Sequence, residues 1–158
     1  MAPDLPGSGG TRDPGGPLTL HDLVAHVVAA ARDAGLDRFH VVGHSLGAVA
    51  ATATAALHPD LVNSLTAHAG WARSDPQLVF QFALWQHLAR TDPAAMARMM
   101  LLTAMGKEAL RAYDRTTFEQ VAALTELLDG ARDGLARQSA AGADVDLTGL
   151  LPHVTGSC

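Results

Sequence analysis

The 158-residue sequence holds one cysteine, Cys158, and it is the last residue. A lone thiol can close no internal disulfide and build no thiolate metal cluster, so the expected setting is a reducing cytoplasm. Positive charge is also scarce: eleven Lys and Arg stand against sixteen Asp and Glu, for a net charge of -5. Those eleven are scattered, which argues against nucleic acid, whose phosphates demand a basic patch. No apolar run approaches the roughly 18 residues of a membrane span. The opening MAPDLPGSGG lacks the basic patch and apolar stretch of a secretory leader. The glycine-rich loop at residues 6–17 lacks the Gly-Lys-Ser/Thr ending of a phosphate loop, and no His-Glu-x-x-His occurs. His21, His26, His58, His68 and His87 lack the paired spacing of a metal site. Neither a metal nor an organic cofactor is implied, and the expected partner is a small neutral or apolar molecule.

What is present reads as a globular chain, with 48% apolar and 17% charged residues. Thr19 and Asp22 have the spacing of a capping box, which predicts a helix beginning after Thr19. Leu20, Leu23, Val24, Val27, Val28 and Ala31 then make one apolar face, and Gly35 is placed to close the helix. Residues 39–42 are short and rich in β-branched side chains, as in a buried parallel strand. Residues 46–57 predict a small-residue helix stopped by Pro59, and residues 61–67 a second strand. Helix, strand, helix, strand is the α/β signature, with a parallel sheet and right-handed crossovers.

From Trp71 onward no strand signal appears. Residues 77–89 predict a helix with Leu78, Phe82, Trp85 and Leu88 near one face. Asp92-Pro93 supplies a cap and a first-turn proline for the next, which carries Met96, Met99, Met100 and Leu102. Another helix starts at Thr116 or Thr117, runs to Leu128 and breaks at Asp129-Gly130. Residues 138–150 read as loop.

Between the first strand and its helix stands Gly43-His44-Ser45-Leu46-Gly47. A strand-to-helix turn this sharp leaves room for nothing larger than glycine two residues either side of the serine. Ser45 is then held in a strained backbone with its hydroxyl clear of the sheet edge. The helix N-terminus aims its free N–H groups at the same spot, with the Leu46 N–H placed to stabilise an oxyanion.

With its surroundings, the segment HVVGHSLGAVAATATAALHPDLVNSL resembles the α/β-hydrolase superfamily, in its cap-bearing branch. APDLPGSGGT is similar to the family's Asp-x-Pro-Gly-x-Gly loop, and VDLTGLLPHVTGSC to its return from cap to sheet. The resemblance implies a partial α/β-hydrolase fold: a core with the nucleophile elbow at residues 1–70, a mostly helical cap at 71–143 and a truncated return segment at 144–158. It implies a serine hydrolase acting on an ester, thioester or lactone through an acyl-enzyme on Ser45. The family order of serine, acid, histidine makes Asp75 a candidate acid, beside its other reading as a helix cap before Pro76, and leaves His153 as the one late histidine, placed too early for the base. The family's earlier strands, oxyanion loop, acid-bearing strand and histidine loop have no counterpart in the sequence. The chain is therefore expected to have little activity alone and to expose strand edges that limit its solubility. His44 is read as a packing or loop residue and His40 as buried and hydrogen-bonded. Phe80, Phe82, Trp85 and the methionines suit a permissive acyl pocket or, equally well by spacing, a helical core. The alternative function is a ligand-binding or signalling module, or a perhydrolase, on the same fold.

Overall fold

A computed structural model describes residues 1–12, 15–113 and 115–155, with the backbone alone for 115–120 and 122. Cys158 lies outside the described residues.

The first helix, α1 (Leu20–Asp33), starts as its sequence dictates. The Asp22 N–H donates to Thr19 Oγ1 (3.2 Å) and the Thr19 N–H to Asp22 Oδ2 (2.9 Å), closing both halves of a capping box. Gly35 follows at φ 71°, a conformation that glycine adopts without the penalty of a Cβ. Strand β1 (Phe39–His44), helix α2 (Leu46–Leu57) and strand β2 (Val62–His68) come next, and the two strands pair in parallel. The register sets His40 beside Ser64, Val42 beside Thr66 and His44 beside His68.

Helix α2 is the centre of the packing. Its alanines and threonines are buried on every side from Ala48 to Ala56, so sheet and helix approach closely. One side meets Val41 and Val62 of the strands through Ala51 and Ala55. The opposite side meets Val24 and Val28 of α1 through Val49 and Ala53. The buried Thr52 and Thr54 hydroxyls donate to the carbonyls of Ala48 and Ala50, so neither is left unpaired.

Helix α2 covers only one face of the sheet. Along β1, Val41 and Gly43 turn inward while His40, Val42 and His44 turn outward, and Val42 is 74% exposed. His40 is therefore not buried, contrary to the sequence reading, although it does bond Ser64 Oγ at 2.7 Å. The strand alternates because one of its faces is wet; the continuous β-branched run had suggested two dry ones.

Beyond β2 the chain is helical: α3 (Pro76–Thr91), α4 (Pro93–Ala104), α5 (Lys107–Arg111), α6 (Arg115–Gly130) and α7 (Arg132–Ala143). Asp75 and Asp92 cap α3 and α4 by accepting from the N–H groups of Leu78 and Ala95, each at 2.9 Å. Met96, Ala97, Val121 and Leu128 form a separate core with Trp85, Leu88 and Met100 around it. Phe82 is buried between Trp71 and Trp85. Residues 138–143, read as loop, are instead the last turns of α7. Their small side chains let the helix press against other parts of the chain. Gly142 lies under the Phe82 ring, and Ala141 joins Leu18, Leu23 and Ala50. Tertiary contact outweighs weak intrinsic preference here. Farther up α7, Gln138 Nε2 donates to Pro6 O (2.9 Å) and Ser8 Oγ (2.7 Å), holding the N-terminal loop. Helix α5, which buries no side chain, was not anticipated.

The outgoing and returning passes of this helical stretch run side by side. Arg73 and Asp146 form an antiparallel bridge, with the Ser74 N–H donating to Val145 O (2.9 Å) and the Leu147 N–H to Ala72 O (2.6 Å). Val145 and Leu147 then drop into the α1–α2 core. The chain continues through a short 3-10 turn, Leu151–His153, and Val154 packs beside Leu65 on the β2 side of the sheet. Among the described residues no helix is long and apolar enough to cross a membrane.

Candidate active site

Ser45 occupies the turn between β1 and α2 at φ 53°, ψ -123°. Few non-glycine residues adopt a positive φ, and such strain costs on the order of 1–3 kcal/mol and persists only where the surroundings enforce it. Two contacts enforce it. The Ser45 N–H donates to His68 O at 3.0 Å, tying the turn to the end of β2. Gly43 lets the backbone double back, since a Cβ there would lie 2.2 Å from Gly47 O and 2.6 Å from Ala48 Cα. Gly47 is different. A Cβ at Gly47 meets nothing within 4 Å, so the expected crowding two residues after the serine is absent among the described residues. The steric demand for a small residue falls on one glycine of the pair.

The Ser45 carbonyl accepts from the Ala48 N–H (2.9 Å) and the Val49 N–H (3.2 Å), which starts α2. That leaves the N–H groups of Leu46 and Gly47 without a hydrogen-bond acceptor among the described residues, because no side chain caps this helix. The Ser45 side chain makes no capping bond and is half-buried. A hydroxyl on a strained turn thus shares one helix N-terminus with two free donors.

No described histidine or carboxylate bonds that hydroxyl. Asp75 is exposed at the start of α3, with its Oδ1 held by the Leu78 N–H. His153 is exposed at the end of the 3-10 turn. Among the described residues no group of three or more metal-ligating side chains occurs. Phe80, a candidate for an acyl pocket, is 82% exposed, whereas Phe82 and Trp85 are spent on the helical core.

Sequence reasoning overlooked the segment that backs the elbow. Ala69 has φ 53°, and a Cβ on Gly70 would press to 2.8 Å from Ala48 Cβ. His68 faces His44 across the strand ends, Nδ1 to Nδ1 at 2.8 Å. The signal was the pairing of two strands that each end in histidine, visible only once their register is known. A groove of about 440 Å³ runs along the other edge of β1, past Phe39, Val42 and His44 to Gly47.

A parallel αβαβ unit with a strained serine at the strand-to-helix turn is the arrangement of an α/β protein. The chain belongs to the alpha/beta hydrolase fold family, whose model matches residues 1–126. It is 40% identical over 109 residues to the pyrrolizixenacetamide deacetylase of Xenorhabdus hominickii, an alignment covering 68% of this chain and 41% of that protein. It is 37% identical over 75 residues to the putative carbamate hydrolase RutD of Caulobacter segnis, covering 48% of this chain and 28% of the relative. In fold it is similar to MGS-M2, an alpha/beta hydrolase from a Medee basin deep-sea metagenome library (TM-score 0.87, 18% identity, 97% of this chain and 57% of the other). It is also similar to the enol-lactonase of Burkholderia xenovorans LB400 (TM-score 0.76, 22% identity, 97% and 57%). The chain thus spans about half the length of the relatives and structures it matches, and less of the curated ones.

Proposed function

We propose that the protein is a serine hydrolase in which Ser45 attacks the carbonyl of a small apolar ester, thioester or lactone. The observation that carries this reading is the Ser45 conformation, φ 53° and ψ -123°, at the N-terminus of α2. Strain at that level is retained where a side chain must be presented, and a solvent turn would relax it. As the Ser45 oxygen bonds to the carbonyl carbon, its proton passes to a histidine base, a role no described residue fills. Negative charge grows on the carbonyl oxygen, and the Leu46 N–H is placed to meet it. The leaving group departs with the proton, and water then releases the acyl group from Ser45.

Residues 71–143 serve as the cap in this reading and bound the substrate, with 144–158 leading back to the sheet. Phe80, being exposed, is a cap aromatic that can still meet an apolar group. The deacetylase and the putative carbamate hydrolase favour a second acyl class, in which nitrogen rather than oxygen leaves. The same nucleophile and donors would serve it.

The test is covalent labelling with a fluorophosphonate probe, followed by peptide mapping. Slow labelling at Ser45, absent from Ser45→Ala, is the expected result. Labelling that persists in Ser45→Ala would refute the assignment. A panel of nitrophenyl esters, anilides and a lactone then separates the two acyl classes.

A further inference from the structure

The proposal concerns the pair His44 and His68, to which the reaction above gives no part, and it rests on the reading of Ser45 as nucleophile. The two residues end adjacent parallel strands in direct register. Their Nδ1 atoms stand 2.8 Å apart, while the ring centroids are 4.9 Å apart and the planes differ by 25°. Rings whose nitrogens are so much closer than their centres meet nitrogen to nitrogen and do not overlap face to face. This is the geometry of an N–H···N hydrogen bond, in which one imidazole donates and the other must keep a lone pair.

The position matters because His68 holds the elbow twice. Its backbone oxygen accepts the Ser45 N–H at 3.0 Å, and its ring is bonded to the residue immediately before Ser45. The ring bond and the backbone bond therefore close a small loop around the strained turn, fixing both strand ends against each other. We infer that His44 and His68 are positioning residues: their shared proton holds the elbow in the geometry that presents Ser45.

Three substitutions separate this role from simple packing. Asparagine places its amide where the histidine Nδ1 stood, so His68→Asn keeps the bond. Glutamine reaches to the Nε2 position and misses it, and alanine removes it. Exchange of the Ser45 amide proton, followed by NMR, reads the elbow without any need for turnover, and fluorophosphonate labelling reads the nucleophile. Both should change roughly fivefold in His68→Ala and His68→Gln, the worth of one neutral hydrogen bond, and return toward wild type in His68→Asn. A scalar coupling between the two Nδ1 nuclei in 15N-histidine protein should be visible at neutral pH. Absence of that coupling, or equal exchange and labelling in wild type and His68→Ala, overturns the proposal. If the coupling and protected amide are present but Ser45 never labels, the nucleophile reading falls and the bond loses its catalytic meaning.

Discussion

Replacing Gly43 by alanine puts one methyl group against backbone that has nowhere to go. The new Cβ would sit 2.2 Å from Gly47 O, 2.4 Å from Gly47 C and 2.6 Å from Ala48 Cα. All three atoms belong to the first turn of α2, so no rotamer change relieves the contact. The helix must retreat by roughly an ångström, and it is buried from Ala48 to Ala56 between the sheet and α1. Overpacking of this kind costs about 1–3 kcal/mol, and a wholly backbone clash belongs at the upper end. For a chain of this size, about 3 kcal/mol corresponds to a Tm lower by roughly 6–12 °C. The motif's other glycine supplies the control. A Cβ at Gly47 meets nothing within 4 Å, and alanine favours the helix by up to about 1 kcal/mol. Urea unfolding followed by circular dichroism should therefore show opposite signs for Gly43→Ala and Gly47→Ala. Equal destabilisation by the two, or a change under about 0.5 kcal/mol for Gly43→Ala, would refute the steric account of the elbow.

Two further tests address single carboxylates. Asp75→Ala should cost about 1 kcal/mol through loss of the α3 cap, while Asp75→Asn keeps the cap, the stability and the fluorophosphonate labelling rate. A collapse of labelling in Asp75→Asn with unchanged stability would instead make Asp75 the catalytic acid. Asp146 is held below its ordinary value of 3.8 chiefly by the Thr148 hydroxyl and then by the Thr148 N–H. Its folded form therefore binds a proton less readily than the unfolded chain does, so its contribution is full above 3.8 and fades as pH falls through and below that value. Acid unfolding should be shallower in Asp146→Asn. The effect is small because the group is open to solvent, and Asp22, lowered in the same way by Thr19, leaves part of the slope in place.

Much of the architecture could be read from residue patterns because local rules and tertiary demands agree there. Thr19 with Asp22, Asp75 and Asp92 with their prolines, and Gly43 before Ser45 all act on near neighbours in the chain, whereas the crowding expected at Gly47 is not there. The parallel pairing of β1 with β2 followed from the helix between them. What escaped depends on contacts distant in the chain. The end of α7 is helical because Gly142 fits beneath Phe82, 60 positions earlier, and no local propensity encodes that. His40 is wet because of what fails to cover one sheet face among the described residues, which a β-branched run cannot reveal. The His44–His68 bond needs the register of two strands, and register is not written in either strand alone. Asp75 was legible as a cap, whereas its candidacy as acid came from the family order.

The bridge between Arg73 and Asp146 brings the start and finish of a seventy-residue excursion to neighbouring positions. Joining such points by a shorter or longer connection would not require the strands beneath to be relaid, since the ends already meet. The helices between them could be exchanged as one piece. A lineage could replace that helical stretch while the strained Ser45 turn was inherited intact.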